Sequence, residues 1–246
     1  GEPPGWGRSR KIANPVPSEK CRKAFNESPF PLEAAAPPPY RGAMTPKLLL
    51  AREVVLAGPA DPLVFGGRAP IVTQTMTVAA TERTEAVYAE IAELAAAGAQ
   101  LVRVTVQSPR IAESLAPLRA KLEAAGIRVP LVADIHFSPE AALRAADFVE
   151  KVRINPGNFA DTRKPRSAPY TDAEYAAELE RVAGRFLPLV ESCRRQGRVM
   201  RIGSNHGSLS QRILSRYGDT PLGMVEAALE YVRLAEGAGY RELVIS

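Results

Sequence analysis

Three arginines recur in one local setting. Residues 151–158 read K-V-R-I-N-P-G-N, residues 101–107 read L-V-R-V-T-V-Q, and residues 199–205 read V-M-R-I-G-S-N. Side chains alternate across a strand, so Lys151, Arg153 and Asn155 share one face while Val152 and Ile154 take the other. Pro156 and Gly157 then stop the run. A guanidinium turned into a protein interior is costly unless a partner neutralises it, so the pattern asks for an anion. An edge strand with its basic face in water is the competing reading of residues 151–158 taken alone. The recurrence favours the first: Arg103, Arg153 and Arg201 are expected to converge on one pocket.

Other polar residues fall near the same strand ends. Gln74 lies in P-I-V-T-Q-T-M-T (70–77), Asp134 and His136 in P-L-V-A-D-I-H-F (130–137), Asn155 and Asn158 in the stretch above, and Asn205, His206 and Ser208 in M-R-I-G-S-N-H-G-S-L-S (200–210). Asp134 is read either as a reacting group or as the counter-charge of an inward arginine. Asp134 and His136 are read as lying on opposite strand faces, with His136 outward beneath a helix. His206 sits in a Gly-bounded loop, where it either touches phosphate or caps the turn. Gly203 and Gly207 either let the backbone approach a ligand or turn the chain. Lys151 is read as a deeper, structural charge, and Cys193 as a partly buried surface thiol.

The elements that must position these residues alternate. Strands are predicted over 71–76, 101–106, 129–135, 148–154 and 199–202, with a sixth beginning at 243. Between them come helices: 84–97 with Val87, Ile91 and Leu94 at helical spacing, then one marked by Ile111, Leu115, Leu118 and Leu122, then a short one capped by Ser138 ahead of Pro139. A long helix is predicted from Asp172 to about Cys193, another over 211–217 capped by Ser208, and one from Pro221 to about Glu236. Six β-α units in a row predict an α/β fold, an incomplete TIM-type (β/α)8 barrel, with the polar stretches gathered at the C-terminal strand ends. A doubly wound sheet is the alternative, although no G-x-G-x-x-G follows the first strand.

Composition bounds the function. The net charge is +5, yet the 32 basic residues are 25 Arg and only 7 Lys, a bias that gene composition alone can produce. No basic block or basic-aromatic interleaving points to nucleic acid. No apolar run approaches the roughly 18 residues of a membrane span. Cys21 and Cys193 are too few for a disulfide framework, a zinc site or an iron-sulfur ligand set, so no metal ligands are assigned. Residues 1–42 hold nine of the 22 prolines and read as a tail, either a transit-peptide remnant or a plain extension. Residues 43–69 form a lead-in, and 70–246 the partial barrel.

The five stretches at 70–77, 101–107, 130–137, 151–159 and 200–210 resemble, in order and spacing, the 4-hydroxy-3-methylbut-2-enyl diphosphate synthase family of the methylerythritol phosphate route to isoprenoids. The resemblance implies an oxidoreductase that opens the ring of 2-C-methyl-D-erythritol 2,4-cyclodiphosphate with two electrons. They pass through a 4Fe-4S cluster held by three Cys and a Glu of a C-terminal domain with no counterpart here, so this chain alone is expected to be inactive. Arg103, Arg153 and Arg201 match the family's diphosphate-binding arginines, with Asn155 and Asn205 beside them. Ferredoxin, or else flavodoxin, is the implied donor, and a homodimer is compatible. Residues 170–175 and 216–226 resemble the longer plant and algal form, which implies a plastid protein; a bacterial cytoplasm is the alternative. Two other readings stay open: a non-redox phosphate-binding barrel such as a pterin-linked synthase, and a catalytically silent binder.

Overall fold

The computed structural model describes residues 51–161 and 168–246. The Pro-rich tail and the start of the lead-in fall outside them, as does most of the polar connection expected over 161–167. The described chain opens on a hairpin, β1 (Val54–Leu56) antiparallel to β2 (Leu63–Phe65), with Val54 opposite Phe65 and Leu56 opposite Leu63. Neither strand alternates with a helical pattern as the later ones do, so the sequence carries no signal for this pair.

Six parallel strands follow: β3 (Gln74–Met76), β4 (Leu101–Val106), β5 (Leu131–Ile135), β6 (Lys151–Ile154), β7 (Val199–Ile202) and β8 (Leu243–Ile245). Their order in the sheet is their order in the chain. A doubly wound sheet reverses direction at a switch point; this one never does, and it forms the curled half of a (β/α)8 barrel. Strand starts are later than expected. Ile71 is 93% exposed and outside the ladder, and Pro130, with no N–H to donate, precedes β5.

Between the strands run α1 (Thr84–Ala96), α2 (Pro109–Glu113), α3 (Leu115–Ala124), α4 (Pro139–Ala145), α5 (Pro156–Phe159), α6 (Asp172–Gln196), α7 (Gln211–Tyr217) and α8 (Pro221–Gly237). Their starts follow local chemistry. Ser108 and Ser138 cap α2 and α4 ahead of prolines, and Thr171 and Glu174 form a reciprocal capping box on α6. The cap of α7 is Ser210, whose hydroxyl accepts from Ile213 N; the expected cap, Ser208, ends a 3-10 turn instead (His206–Ser208). No helix among the described residues is long and apolar enough to cross a membrane.

Two cores result. On the outer face Val102, Val104, Val106, Ala133, Ile135, Val152, Ile154, Met200 and Ile202 pack under Val87, Ile91, Leu118, Leu122, Phe186, Leu189 and Tyr231 of the helices. Cys193 belongs here, fully buried rather than at the surface, because it continues the Phe186, Leu189, Val190 spacing of the inward stripe of α6. On the inner face Leu101, Val132 and Val199 meet Val54 and Leu56. The hairpin thus plugs the N-terminal end of the curl and leaves the C-terminal end for polar residues.

Candidate anion-binding site

Strand register sets the inner face in rungs. One rung aligns Met76, Arg103, Val132, Lys151 and Val199; the next, towards the C-terminal rim, aligns Thr105, Asp134, Arg153, Arg201 and Val244. Alternation explains both: Arg103 and Arg201 sit two residues beyond Leu101 and Val199, which are committed to the plug, and Arg153 sits two beyond Lys151. Four cationic side chains therefore face one carboxylate across four adjacent strands. The three arginines come together as expected.

Asp134 is the hub. Arg153 Nη1 donates to its Oδ1 at 2.8 Å, and Arg103 Nε lies 3.4 Å from its Oδ2. It is buried, which supports the counter-charge reading. Arg103 turns the rest of its fork to the Met76 sulfur at 3.0 and 3.3 Å, a weak acceptor that a phosphate oxygen would outcompete. Arg201 bonds only the Ser246 hydroxyl, at 2.8 Å, among the described residues. Burial, and then the repulsion of Arg103 and Arg153, push its pKa below the ordinary arginine value, against the pull of Asp134. An anion would relieve that strain.

Three buried polar atoms lack any hydrogen-bond partner among the described residues: Arg153 Nε, Thr77 Oγ1 and Asn158 Oδ1. All three belong to the rim end of the sheet. Buried polar groups are nearly always paired, so the free Arg153 Nε–H, on the guanidinium that already holds Asp134, is the one of the three placed to take an anion.

Lys151, one rung deeper, is 2% exposed, and its ammonium lies over the Phe65 ring, 3.9 Å from the centroid. Burial, and then Arg201, lower its pKa to about 8. It remains a structural charge in that it anchors β6 to the plug, yet it also adds to the positive potential under the arginines.

The asparagines and serine behave differently from the arginines. Asn155 caps α5 through Gly157 N at 3.1 Å, and its Nδ2 donates to Ser208 Oγ at 2.7 Å, so the two residues are bound to each other. Asn205 and His206 are exposed, with His206 Nε2 2.9 Å from Asp219 Oδ1. Gln74 begins β3 on the rung of Leu101, two inward rungs below Asp134, and is not brought to the mouth. Two glycines prove necessary for reasons of contact. A Cβ on Gly203 would sit 2.7 Å from Arg153 Nε, and one on Gly157 only 1.6 Å from the Ser208 carbonyl oxygen. The close approach at Gly203 is thus to the guanidinium itself.

His136 requires a correction. Residues two apart share a strand face, and His136 is on the inward side, its Nε2 3.4 Å from Asp134 Oδ2. It does not point outward beneath a helix.

The order of these motifs has a match among known families. A model of the GcpE TIM-barrel domain matches residues 59–246. The chain belongs to the GcpE family. Relatives named 4-hydroxy-3-methylbut-2-en-1-yl diphosphate synthase (flavodoxin) include that of Leptospira interrogans, 53% identical over 181 residues, covering 74% of this chain and 27% of the relative. That of Akkermansia muciniphila is 49% identical over 210 residues, 85% of this chain and 34% of the relative. That of Chlorobaculum tepidum is 48% identical over 195 residues, 79% and 26%. This GcpE chain spans about a third or less of the length of the curated relatives it matches.

The iron-sulfur cluster that the resemblance implies finds no ligand set here. No group of three or more His, Cys, Asp or Glu side chains converges among the described residues. Cys193 is sealed in the outer core, with burial pushing its thiol up to about 12, so it is a protonated packing residue.

The sequence reading missed one cluster altogether. Arg212 of α7, 1% exposed, bridges Asp161 at 2.8 Å and both oxygens of Glu230 on α8 at 2.7 Å, while Tyr175 of α6 donates to Glu230 Oε1 at 2.5 Å. Burial pushes the Glu230 carboxyl up while Arg212 pulls it down. The network pins α7, and with it the 203–210 loop, to the helices behind it. Its partners lie far apart in sequence, so no local signal announces it.

Proposed function

We propose that this GcpE chain supplies the diphosphate-binding half of a 4-hydroxy-3-methylbut-2-en-1-yl diphosphate synthase, holding 2-C-methyl-D-erythritol 2,4-cyclodiphosphate while its ring is opened reductively. The observation that carries this is the charge arrangement on the inner face: three arginines and a lysine on adjacent rungs, one carboxylate among them, and an orphaned guanidinium N–H at the mouth. Such a face is tuned to a compact ligand of several negative charges. Arg103, Arg153 and Arg201 would grip the phosphates. Asn158 and Thr77 would add hydrogen bonds from the rim, as would Asn205 and His206 where their loop closes on the ligand. Asp134 would hold Arg103 and Arg153 in register, and His136, against it, would be the nearest group able to carry a proton. Asn155 and Ser208 would fix the loop rather than touch the ligand, and Gln74 would serve the fold.

The names of the relatives favour flavodoxin as the electron donor over ferredoxin. Those relatives are bacterial, which fits a bacterial cytoplasm and gives a plastid no support.

Calorimetry tests the reading. Titrating the 246-residue chain with the cyclodiphosphate should give saturable binding, and Arg153→Ala should weaken it by about 2 kcal/mol, roughly 30-fold, because a charged hydrogen bond is lost. Arg153→Lys should recover only part, since the bidentate fork is gone. Unchanged affinity in Arg153→Ala would remove this face from the site.

A further inference from the structure

Phe137 is the one non-glycine residue with a positive φ among the described residues, at 63°. The left-handed region is costly for any side chain bearing a Cβ, and more so for a bulky one. The turn explains the demand. β5 ends at Ile135 and Ser138 already caps α4, so two residues reverse the chain. Glycine would meet that demand without strain; the chain places a phenylalanine there.

Among the described residues nothing offsets this. The side chain is 64% exposed, and its ring contact among the described residues is with the imidazole of His136, centroids 6.0 Å apart and planes tilted by 50°. Backbone and side chain are thus both held in unfavourable states at one position. Strain of this kind persists at ligand sites, where the bound state recovers it. The position agrees: His136 leads from Phe137 directly to Asp134, the hub of the arginines. On the rim rung Thr105, Asp134, Arg153 and Arg201 are polar or charged and Val244 closes its far end on β8, so Phe137 adds an apolar surface at the β5 edge of the mouth.

We propose that Phe137 is the apolar wall of this site and a determinant of its specificity, contacting the carbon skeleton of a small diphosphate ester whose phosphates rest on the arginines. The inference rests on the diphosphate-binding reading above. Anion groups drawn down to Arg153 and Arg201 leave the carbon end of such a ligand at the rim, where a ring face can cover its C–H and methyl groups. Inorganic pyrophosphate carries the same anionic groups and nothing for the ring to cover.

The experiment compares those two ligands. Wild type, Phe137→Gly and Phe137→Leu of the full chain are titrated with 2-C-methyl-D-erythritol 2,4-cyclodiphosphate and with pyrophosphate, and their melting temperatures are recorded. Phe137→Gly should melt no lower than wild type, bind pyrophosphate unchanged, and lose about tenfold in affinity for the cyclodiphosphate. Phe137→Leu should keep part of that affinity. Equal losses for both ligands, or none for either, would overturn the wall, the second outcome leaving the ring to a protein contact. A much lower melting temperature in Phe137→Gly would make the ring structural and overturn it too. A wild-type chain that binds neither ligand would instead overturn the diphosphate reading beneath it.

Discussion

Lys151 shows how much one side chain reports about its surroundings. In the sequence it is only the first basic residue of an alternating run; in the fold its ammonium is buried against Phe65, within electrostatic reach of Arg201, and its pKa falls from the ordinary 10.5 to about 8. The sign of the consequence follows. Between pH 8 and 10.5 the unfolded chain holds a proton that the folded chain has released, so stability rises with pH across that window, and below pH 8 the penalty of burying the charge is fully present. Anion binding at the arginines should work the other way, favouring the ammonium and raising its pKa. At pH 8.5 the cyclodiphosphate should therefore bind with net proton uptake, visible as a dependence of the calorimetric enthalpy on buffer ionisation heat, and Lys151→Met should abolish that dependence. Equal uptake in the variant would place the proton elsewhere. The three arginines were legible from alternation alone, because a cation between apolar residues at a strand end is a local pattern. The placing of His136 failed at the same level of detail, through a miscounted face, and the pairing of Asn155 with Ser208 was hidden because 53 residues separate them.

At the scale of elements, what the sequence showed well was whatever short-range spacing encodes. Helix α1 begins at Thr84, and α6 begins where Thr171 and Glu174 stand three apart, because caps and apolar stripes are written within a few turns. The hairpin and the later strand starts were illegible for the opposite reason: short pairings are decided by what they pack on, here Val132 and Val199. The Arg212 network is the extreme case, joining α6, α7, α8 and Asp161 through contacts that only the folded chain creates. Removing its guanidinium leaves Asp161 and Glu230 buried without their counter-charge. Arg212→Met should cost about 3–5 kcal/mol and lower the melting temperature by roughly 10 °C, with weaker ligand binding as α7 and the 203–210 loop loosen. By contrast Arg194→Ala breaks a solvent-exposed pair with Glu191, worth under about 0.5 kcal/mol, and should leave the melting curve in place. A thermal melt of both variants separates the cases; an Arg212→Met protein as stable as wild type would mean that the buried carboxylates are protonated or hydrated.

At the scale of the molecule, binding an anion and holding a cluster make different demands on the side chains, and the described residues meet only the first. The chain's 246 residues include two cysteines. A four-iron cluster needs four anchoring positions, usually thiolates. Cys193, on the inward face of α6, is closed off in the outer core with its thiol pushed up to about 12, so it cannot present a thiolate without unfolding that core, and Cys21 alone cannot hold a cluster. Binding and chemistry should therefore separate. After anaerobic treatment with iron, sulfide and a strong reductant, the chain should show no stoichiometric sulfide-to-iron absorbance and form no 4-hydroxy-3-methylbut-2-enyl diphosphate, yet still bind the cyclodiphosphate. The affinity should be reduced by the openness of the sheet: β3 and β8 each have one neighbour, and Ile71, Val78 and Ile245 lie exposed at or beside those outer strands. Arginines held by an unclosed curl are less rigid, and binding loses what preorganisation would have supplied. Supplying in trans the part of a relative that lies outside the matched region should then raise the affinity, if its strands pair with β3 and β8. Turnover by the 246-residue chain alone would overturn this division.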